Sequence, residues 1–337
     1  MKFNLNNEEY YCKYWKKYFE TILSDQDYEK VEHKNNVEIG HYDFATKIGY
    51  GFPDSFARKK FVHKLYRGES YYPKSMLINY KWTKENQNTV KDFIGKSRKI
   101  LKNNYGVGSK SIYIVNTVDD CLKIMNKKDF YIIQNEVDPL LHNGLKLDER
   151  VYYLVVKEQG TFSGYMFKEG HIKLAGFKFD KKSNEMGVFA TNIKAPKPDG
   201  SDPSKFTIDT VKFLDGYEKS DLWKKNRLEV MEKISEKFLP VIAENTKKYY
   251  KGKKEPVFMW HLYGIDLLID KNYNFYLCEF NGKPGVLFED VMPKNITELN
   301  KNMCDRIAMN FLFPWIDGES NSCVSDKSIV KLGEFEF

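Results

Sequence analysis

Tyr263-Gly264-Ile265-Asp266-Leu267-Leu268-Ile269-Asp270 and Phe275-Tyr276-Leu277-Cys278-Glu279-Phe280-Asn281 are two largely apolar runs separated by Lys271-Asn272-Tyr273-Asn274. Such runs around an Asn-containing turn read as an antiparallel hairpin. Pairing the arms about Asn272-Tyr273 sets Asp266 opposite Glu279, Leu268 opposite Leu277 and Asp270 opposite Phe275. Directly opposed residues share a face, and like charges there repel. Asn281, two positions past Glu279, lies on the same face. Two carboxylates and an amide oxygen make a hard-cation set, and Mg²⁺ needs few protein ligands when phosphates complete its shell. A slipped register would instead turn both acids to solvent.

Upstream, Lys146-Leu147-Asp148-Glu149-Arg150 enters an apolar strand at residues 151–156. Alternation puts Lys146, Asp148 and Arg150 on one face. That trio suits a nucleotide, with Asp accepting from ribose hydroxyls and the cations holding phosphate oxygens; an ion-pair ladder is the plainer alternative. Lys102 ends a short strand and precedes a loop carrying Gly106 and Gly108. Glycine backbone can close over phosphates, although an ordinary hairpin turn has the same composition, and no Gly-Lys-Ser/Thr stands at Walker spacing. Thr191-Asn192 alone reads as a turn. The chain has no His-Glu-x-x-His and no Ser/His/Asp order, and its six His are scattered.

Around these motifs the pattern alternates strand and helix. Helices are expected at 10–23, at 54–65 with Asp54 or Ser55 as cap, at 117–126 capped by Thr117, and at 224–248 with a kink at Pro240. Strands are expected at 76–78, 100–101, 112–115, 130–134, 151–156, 171–179, 263–270 and 275–281. Residues 194–204 read as a loop, and the Ser-rich tail from Gly318 as poorly ordered.

With 337 residues, 42% apolar and 30% charged, the chain suits two or three soluble units. Its longest uninterrupted apolar run, residues 151–156, is far below the ~20 residues of a membrane span. Without a secretory leader a cytoplasmic address is expected. Five Cys with no Cys-x-x-Cys argue for reduced thiols. The net charge of +7 comes from 48 Lys and only 6 Arg. It favours an acidic partner, while scarce Arg argues against base readout in nucleic acid. Where such a chain retains Arg, a fixed planar guanidinium is expected to be needed.

In order and spacing these pieces resemble the tubulin–tyrosine ligase-like family of ATP-grasp ligases across roughly residues 54–290. The resemblance rests on Ile100-Leu101-Lys102 with its Gly loop, Tyr131-Ile132-Ile133-Gln134-Asn135-Glu136-Val137, Gly144 through Tyr152, Thr191-Asn192, and the hairpin with its following Gly282-Lys283-Pro284-Gly285. Asn135 stands where the family has a basic residue, Lys173 where it has Arg, and His261 where Glu is common.

The resemblance implies an α/β ATP-grasp fold of three lobes, residues 1–74, 75–137 and 138–337, with ATP between the last two. Lys102, Gly106, Gly108, Gln134, Lys146 and Asp148 would bind ATP, and the backbone of Glu136 and Val137 its adenine. Arg150, Lys173, Thr191 and Asn192 would serve the reaction centre, and Asp266, Glu279 and Asn281 would hold Mg²⁺. The implied activity is ligation of a free amino acid (Glu, Tyr or Gly) to an acidic, tubulin-like protein tail through an acyl-phosphate. Lys59, Lys74, Lys173 and Lys283 are the tail-facing candidates. The chain is expected to be a monomer without nucleic-acid or membrane partners. A small-molecule ligase or kinase, or a non-catalytic nucleotide-binding module, would use the same ATP residues.

Overall fold

β-branched and aromatic residues crowd the expected strands, and in a computed structural model they build an eight-stranded and a four-stranded sheet within a mixed α/β chain, beside a short three-stranded one; the pairing is antiparallel except where Ile48–Tyr50 runs parallel to Phe258–Trp260. The structure describes residues 58–336 except 106–110, 193–194, 253–254, 256, 283, 285–292, 313 and 315–323. Ahead of residue 58 it describes only the strands Phe3–Asn4, Val31–His33, Asn36–Ile39 and Ile48–Tyr50. The helix expected at 10–23 lies outside the described residues.

The smaller sheet has strands β1 (Ser75–Asn79), β2 (Lys99–Asn103), β3 (Ile112–Val115) and β4 (Phe130–Asn135), in the order β1-β4-β2-β3. Ile78, Leu101, Val115 and Ile133 turn one face toward Val90 and Ile94 in a small core. Between β3 and β4 runs a helix, Val118–Ile124, opened by a capping box in which Thr117 and Asp120 satisfy each other's backbone N–H groups.

The larger sheet contains β5 (Leu145–Glu158), β6 (Thr161–Lys178), β7 (Thr207–Asp209), β8 (Phe258–Ile269) and β9 (Phe275–Asn281), ordered β7-β6-β5-β8-β9. A further strand, β10 (Ile329–Glu336), pairs with β6. It lies in the tail expected to be poorly ordered. Its charged positions, Lys331, Glu334 and Glu336, hide the strand pattern, and pairing along β6 supplies its order instead.

Helix α1 (Lys59–Tyr66) has Arg58 at its N-cap without a side-chain cap bond, and the expected caps Asp54 and Ser55 lie outside the described residues. Helix α2 (Ser220–Tyr250) continues through Pro240 as one helix, longer than expected. Trp223, Met231, Ile234, Phe238 and Ile242 fall on its buried stripe and cover β5, β8 and β9. The Phe238 ring meets Tyr263 at 5.3 Å and Phe280 at 5.0 Å. The first, at an interplanar angle of 88°, is an edge contact, and such pairs add ~0.5–1.5 kcal/mol beyond burial.

The hairpin departs from the simple register at one point. Asp266 faces Glu279 as expected, but Leu267 faces Leu277, Leu268 faces Tyr276 and Ile269 faces Phe275. An irregularity between Asp266 and Leu267 leaves Cys278 as the extra residue of a bulge. Strands end at Ile269 and Phe275, so the loop is five residues, with Asp270 accepting from the amides of Asn272 and Asn274. A bulge interrupts alternation, which lets neighbouring Cys278 and Glu279 both line the cleft described below.

Beneath β5, Glu149 is fully buried and accepts from Arg227 at 2.6 Å and from Trp223 Nε1 at 2.9 Å. Removing one partner strands a buried charge. Glu149→Ala is therefore expected to lower unfolding free energy by ~3–5 kcal/mol, and an Arg227→Met, Glu149→Leu double change by less. Urea denaturation of the three proteins checks this.

Candidate active site

The two sheets enclose a cleft of about 1100 Å³, counted out to its open mouth. Ile100, Ile112 and Ile114 line it from the smaller sheet, Leu268 and Ile269 from the larger, and Met186 and Phe189 from the segment after β6. Its mixed apolar and polar walls suit a small-molecule ligand.

The larger sheet brings charges from three neighbouring strands together. On β5, Arg150 sits opposite Asp266 of β8, and Asp148 sits opposite Lys173 of β6. Arg150 donates through Nε at 2.5 Å and Nη2 at 3.0 Å to the two Asp266 oxygens. Lys173 approaches the same carboxylate at 2.9 Å. Gly264 allows this approach: a Cβ there would lie 2.9 Å from Arg150 Nη1 and 3.0 Å from Pro284 Cβ. Burial alone would raise the Asp266 pKa, but Arg150 and Lys173 outweigh it and hold the carboxyl well below the usual range.

Asp148 accepts from Thr191 Oγ1 at 2.5 Å, and Lys146 lies 3.6 Å from its other oxygen. That second oxygen is buried without a hydrogen-bond partner. Lys146 also donates to the Phe189 carbonyl at 3.0 Å. Lys59, at the start of α1, reaches Glu279 at 3.4 Å. Lys102 donates to Cys278 Sγ at 3.4 Å. Burial opposes its ammonium, but Cys278, Tyr72 and Glu279 together keep its pKa above the ordinary lysine value.

Lys102, Gln134, Glu136, Val137, Lys146 and Asp148 all line the cleft, as do Lys173, Thr191, Asn192, Asp266 and Glu279. Arg150 stands behind that lining, locked on Asp266. Asn281 donates weakly to Asp266 at 3.4 Å and to the Gly264 carbonyl at 3.3 Å. Gly106, Gly108 and Lys283 lie outside the described residues.

Among the described residues no group of three or more His, Cys, Asp or Glu is placed to hold a metal. Asp266, Glu279 and Asn281 offer two carboxylates and an amide. This all-oxygen donor set fits a hard divalent cation only where phosphate oxygens and water complete the shell. The orphaned Asp148 oxygen calls for a donor such as a hydroxyl. Lys59, Lys102, Lys146, Arg150 and Lys173 surround the three carboxylates Asp148, Asp266 and Glu279, so cations outnumber anions along this side of the cleft.

Arg98 escapes the motif reading. It pairs with Glu136 and covers Phe189. Only the scarcity of Arg hinted at a role for it. Lys197 is another residue the motifs did not mark. Its Nζ donates to the Leu174 carbonyl at 2.6 Å; burial and then Lys173 pull its pKa to about 8.

The family model described as the tubulin-tyrosine ligase family matches residues 21–312. The chain is also similar to the probable alpha-tubulin polyglutamylase Ttll1 of Tetrahymena thermophila, at 24% identity over 229 residues. That match covers 64% of this chain and 51% of the relative, so the chain spans about half the length of the curated relative it matches. No described helix is long and apolar enough to cross a membrane.

His261, beside the cleft on β8, donates through Nε2 to the Gly282 carbonyl at 2.6 Å, and burial lowers its pKa from 6.5 to about 4. The depressed value means that the unfolded chain binds the proton first. Stability from this group is complete above pH 6.5 and is lost as pH falls toward 4. His63 shifts likewise, through burial and then Arg67. Urea denaturation between pH 7 and 4 is expected to show falling stability. His261→Gln should remove up to ~1.4 kcal/mol per pH unit from that slope.

Proposed function

Because the chain belongs to the tubulin-tyrosine ligase family, we propose that it is an ATP- and Mg²⁺-dependent ligase joining a free amino acid to an acidic, tubulin-like protein tail. The observation that carries this reading is the Asp266–Glu279 pair, lining the cleft and ringed by Arg150, Lys173 and Lys59. The relative's printed name makes glutamate the first donor to test, with tyrosine and glycine after it.

In this reading residues 1–74, 75–137 and 138–337 act as three ATP-grasp lobes, and ATP lies between the two sheets. Ile100, Ile114 and Leu268 sandwich the purine, and Glu136 and Val137 meet its edge through backbone groups. The unpartnered Asp148 oxygen accepts from the ribose. Lys102, Lys146 and the Gly106/Gly108 loop hold phosphates.

A carboxylate oxygen of the acceptor attacks the γ-phosphorus and ADP leaves, giving an acyl-phosphate. The donor amine then attacks the acyl carbon, loses a proton, and phosphate departs. Arg150 presents Nη1, the terminal nitrogen not engaged with Asp266, to the transferring group. Lys173 holds the donor carboxylate, and Thr191 and Asn192 line the reacting centre. Asp266, Glu279 and Asn281 would hold Mg²⁺, which would neutralise charge on the phosphoryl group. An amine substrate on a phosphorylated small acid would need the same groups, so the acceptor must be tested directly. A cytoplasmic monomer acting without nucleic acid or membrane completes the proposal.

Glu279→Gln is expected to lower ADP release on the order of 10³-fold, several kcal/mol of transition-state stabilisation, with an unchanged circular dichroism spectrum; near-normal turnover would sink the metal role. For the acceptor, labelled glutamate is offered with Glu-rich or neutral peptides at two ionic strengths. The screening length falls from about 10 Å at 0.1 M to about 3 Å at 1 M salt. The KM for the Glu-rich peptide should therefore rise steeply, and equal use of both peptides would favour a small-molecule acceptor.

A further inference from the structure

Arg98 immediately precedes β2, and Glu136 immediately follows β4. Lys99 pairs with Asn135, so the two charged residues continue an antiparallel ladder just past its last pair. Arg98 donates through Nε and Nη2 to both Glu136 oxygens, at 2.7 and 2.8 Å. Its Nη1 donates to the Ser183 carbonyl at 2.7 Å, and the guanidinium covers the Phe189 ring at 4.4 Å. One side chain thus uses its fork, its remaining terminal nitrogen and its face on three partners.

Two of those partners belong to residues 179–189, which follow β6. This segment is anchored to the larger sheet at both ends. Phe179 N donates to the Gly144 carbonyl at 2.8 Å, and the Phe189 carbonyl accepts from Lys146 at 3.0 Å. Met186 and Phe189 line the cleft together with Ile100 and Ile114. Arg98 reaches this wall from the smaller sheet, and its partner Glu136 is part of the strand end that lines the same pocket.

We propose that Arg98 is a positioning residue for the nucleotide base: it clasps the wall at residues 183–189 to the strand end at Glu136 and so sets the width of the purine slot. The inference rests on the nucleotide reading of the cleft. Arg98 does not itself line the cleft, so it acts through the wall it holds, on base binding and not on the chemical step. The pair is largely buried, with side-chain exposures of 11% and 16%, so water screens it little. Lys at this position would keep one charge but not the fork, the carbonyl contact and the stacked plane together.

The test titrates Mg·ATP calorimetrically into wild type, Arg98→Ala, Arg98→Lys, Glu136→Gln and the Arg98→Ala, Glu136→Gln double variant. Arg98→Ala is expected to weaken ATP binding about tenfold or more, and Arg98→Lys to recover part of the loss. The double variant should be no weaker than Arg98→Ala, because the two residues act as a unit. In steady state, KM for ATP should rise while kcat and KM for the peptide change less than about threefold. Hydrogen exchange at 183–189 should quicken in Arg98→Ala without nucleotide. If Arg98→Ala does not fold, Glu136→Gln alone must show the weaker binding and faster exchange. Wild-type affinity in a folded variant, or an equal loss of peptide affinity, overturns the clasp. Failure of the wild-type chain to bind Mg·ATP overturns the nucleotide reading itself.

Discussion

Arg150 on β5, Asp266 on β8 and Lys173 on β6 meet at one carboxylate, and this meeting ties the middle of the larger sheet to the cleft. Two cations on one anion leave the cluster positive, which suits a site that receives phosphate or carboxylate. The arrangement also demands a close approach of backbone and guanidinium, and Gly264 leaves room for it. Across the hairpin, the bulge at Cys278 keeps Glu279 opposite Asp266 although the register nearer the turn is shifted by one. The facing of Asp266 and Glu279 thus depends on a local irregularity set against three paired strands.

Periodicity and charge made much of this legible in the sequence. The facing of Asp266 and Glu279, the common face of Lys146, Asp148 and Arg150, and the Thr117 cap needed only local rules, and each has its counterpart in the fold. The Leu268–Leu277 pairing failed because a bulge leaves no compositional mark. Strand β10 leaves no clean pattern because Lys331, Gly333 and Glu334 break the alternation, and it gains order by pairing along β6. Arg98 and Lys197 had no motif because their partners, Ser183 and Leu174, are backbone carbonyls of a distant segment and of β6.

The six arginines carry a clearer message than the Lys-rich surface. Four of them, Arg98, Arg150, Arg227 and Arg306, hold carboxylates, and three of those four also engage a backbone carbonyl or hydroxyl. Lysines of the helix surfaces instead make exposed pairs such as Lys248–Glu244, worth little each. In a chain that otherwise uses lysine for positive charge, arginine remains at sites where a planar, multiply bonded cation is required.

Asp148 and Glu149 illustrate how one strand separates function from stability. Adjacent on β5, they point to opposite faces: Asp148 toward the cleft with an unpartnered oxygen, Glu149 into the core against Arg227 and Trp223. A one-residue slip of β5 would exchange every side chain between these faces. Lys146 and Arg150 would then enter the apolar layer under α2, and Leu147 and Val151 would line the cleft. The Glu149–Arg227 pair adds to this selection, because Asp148 in the core position would be one methylene too short to bridge both Arg227 and Trp223. Register against the core therefore fixes which carboxylate faces the ligand, and the alternation that buries Glu149 leaves Asp148 available for it.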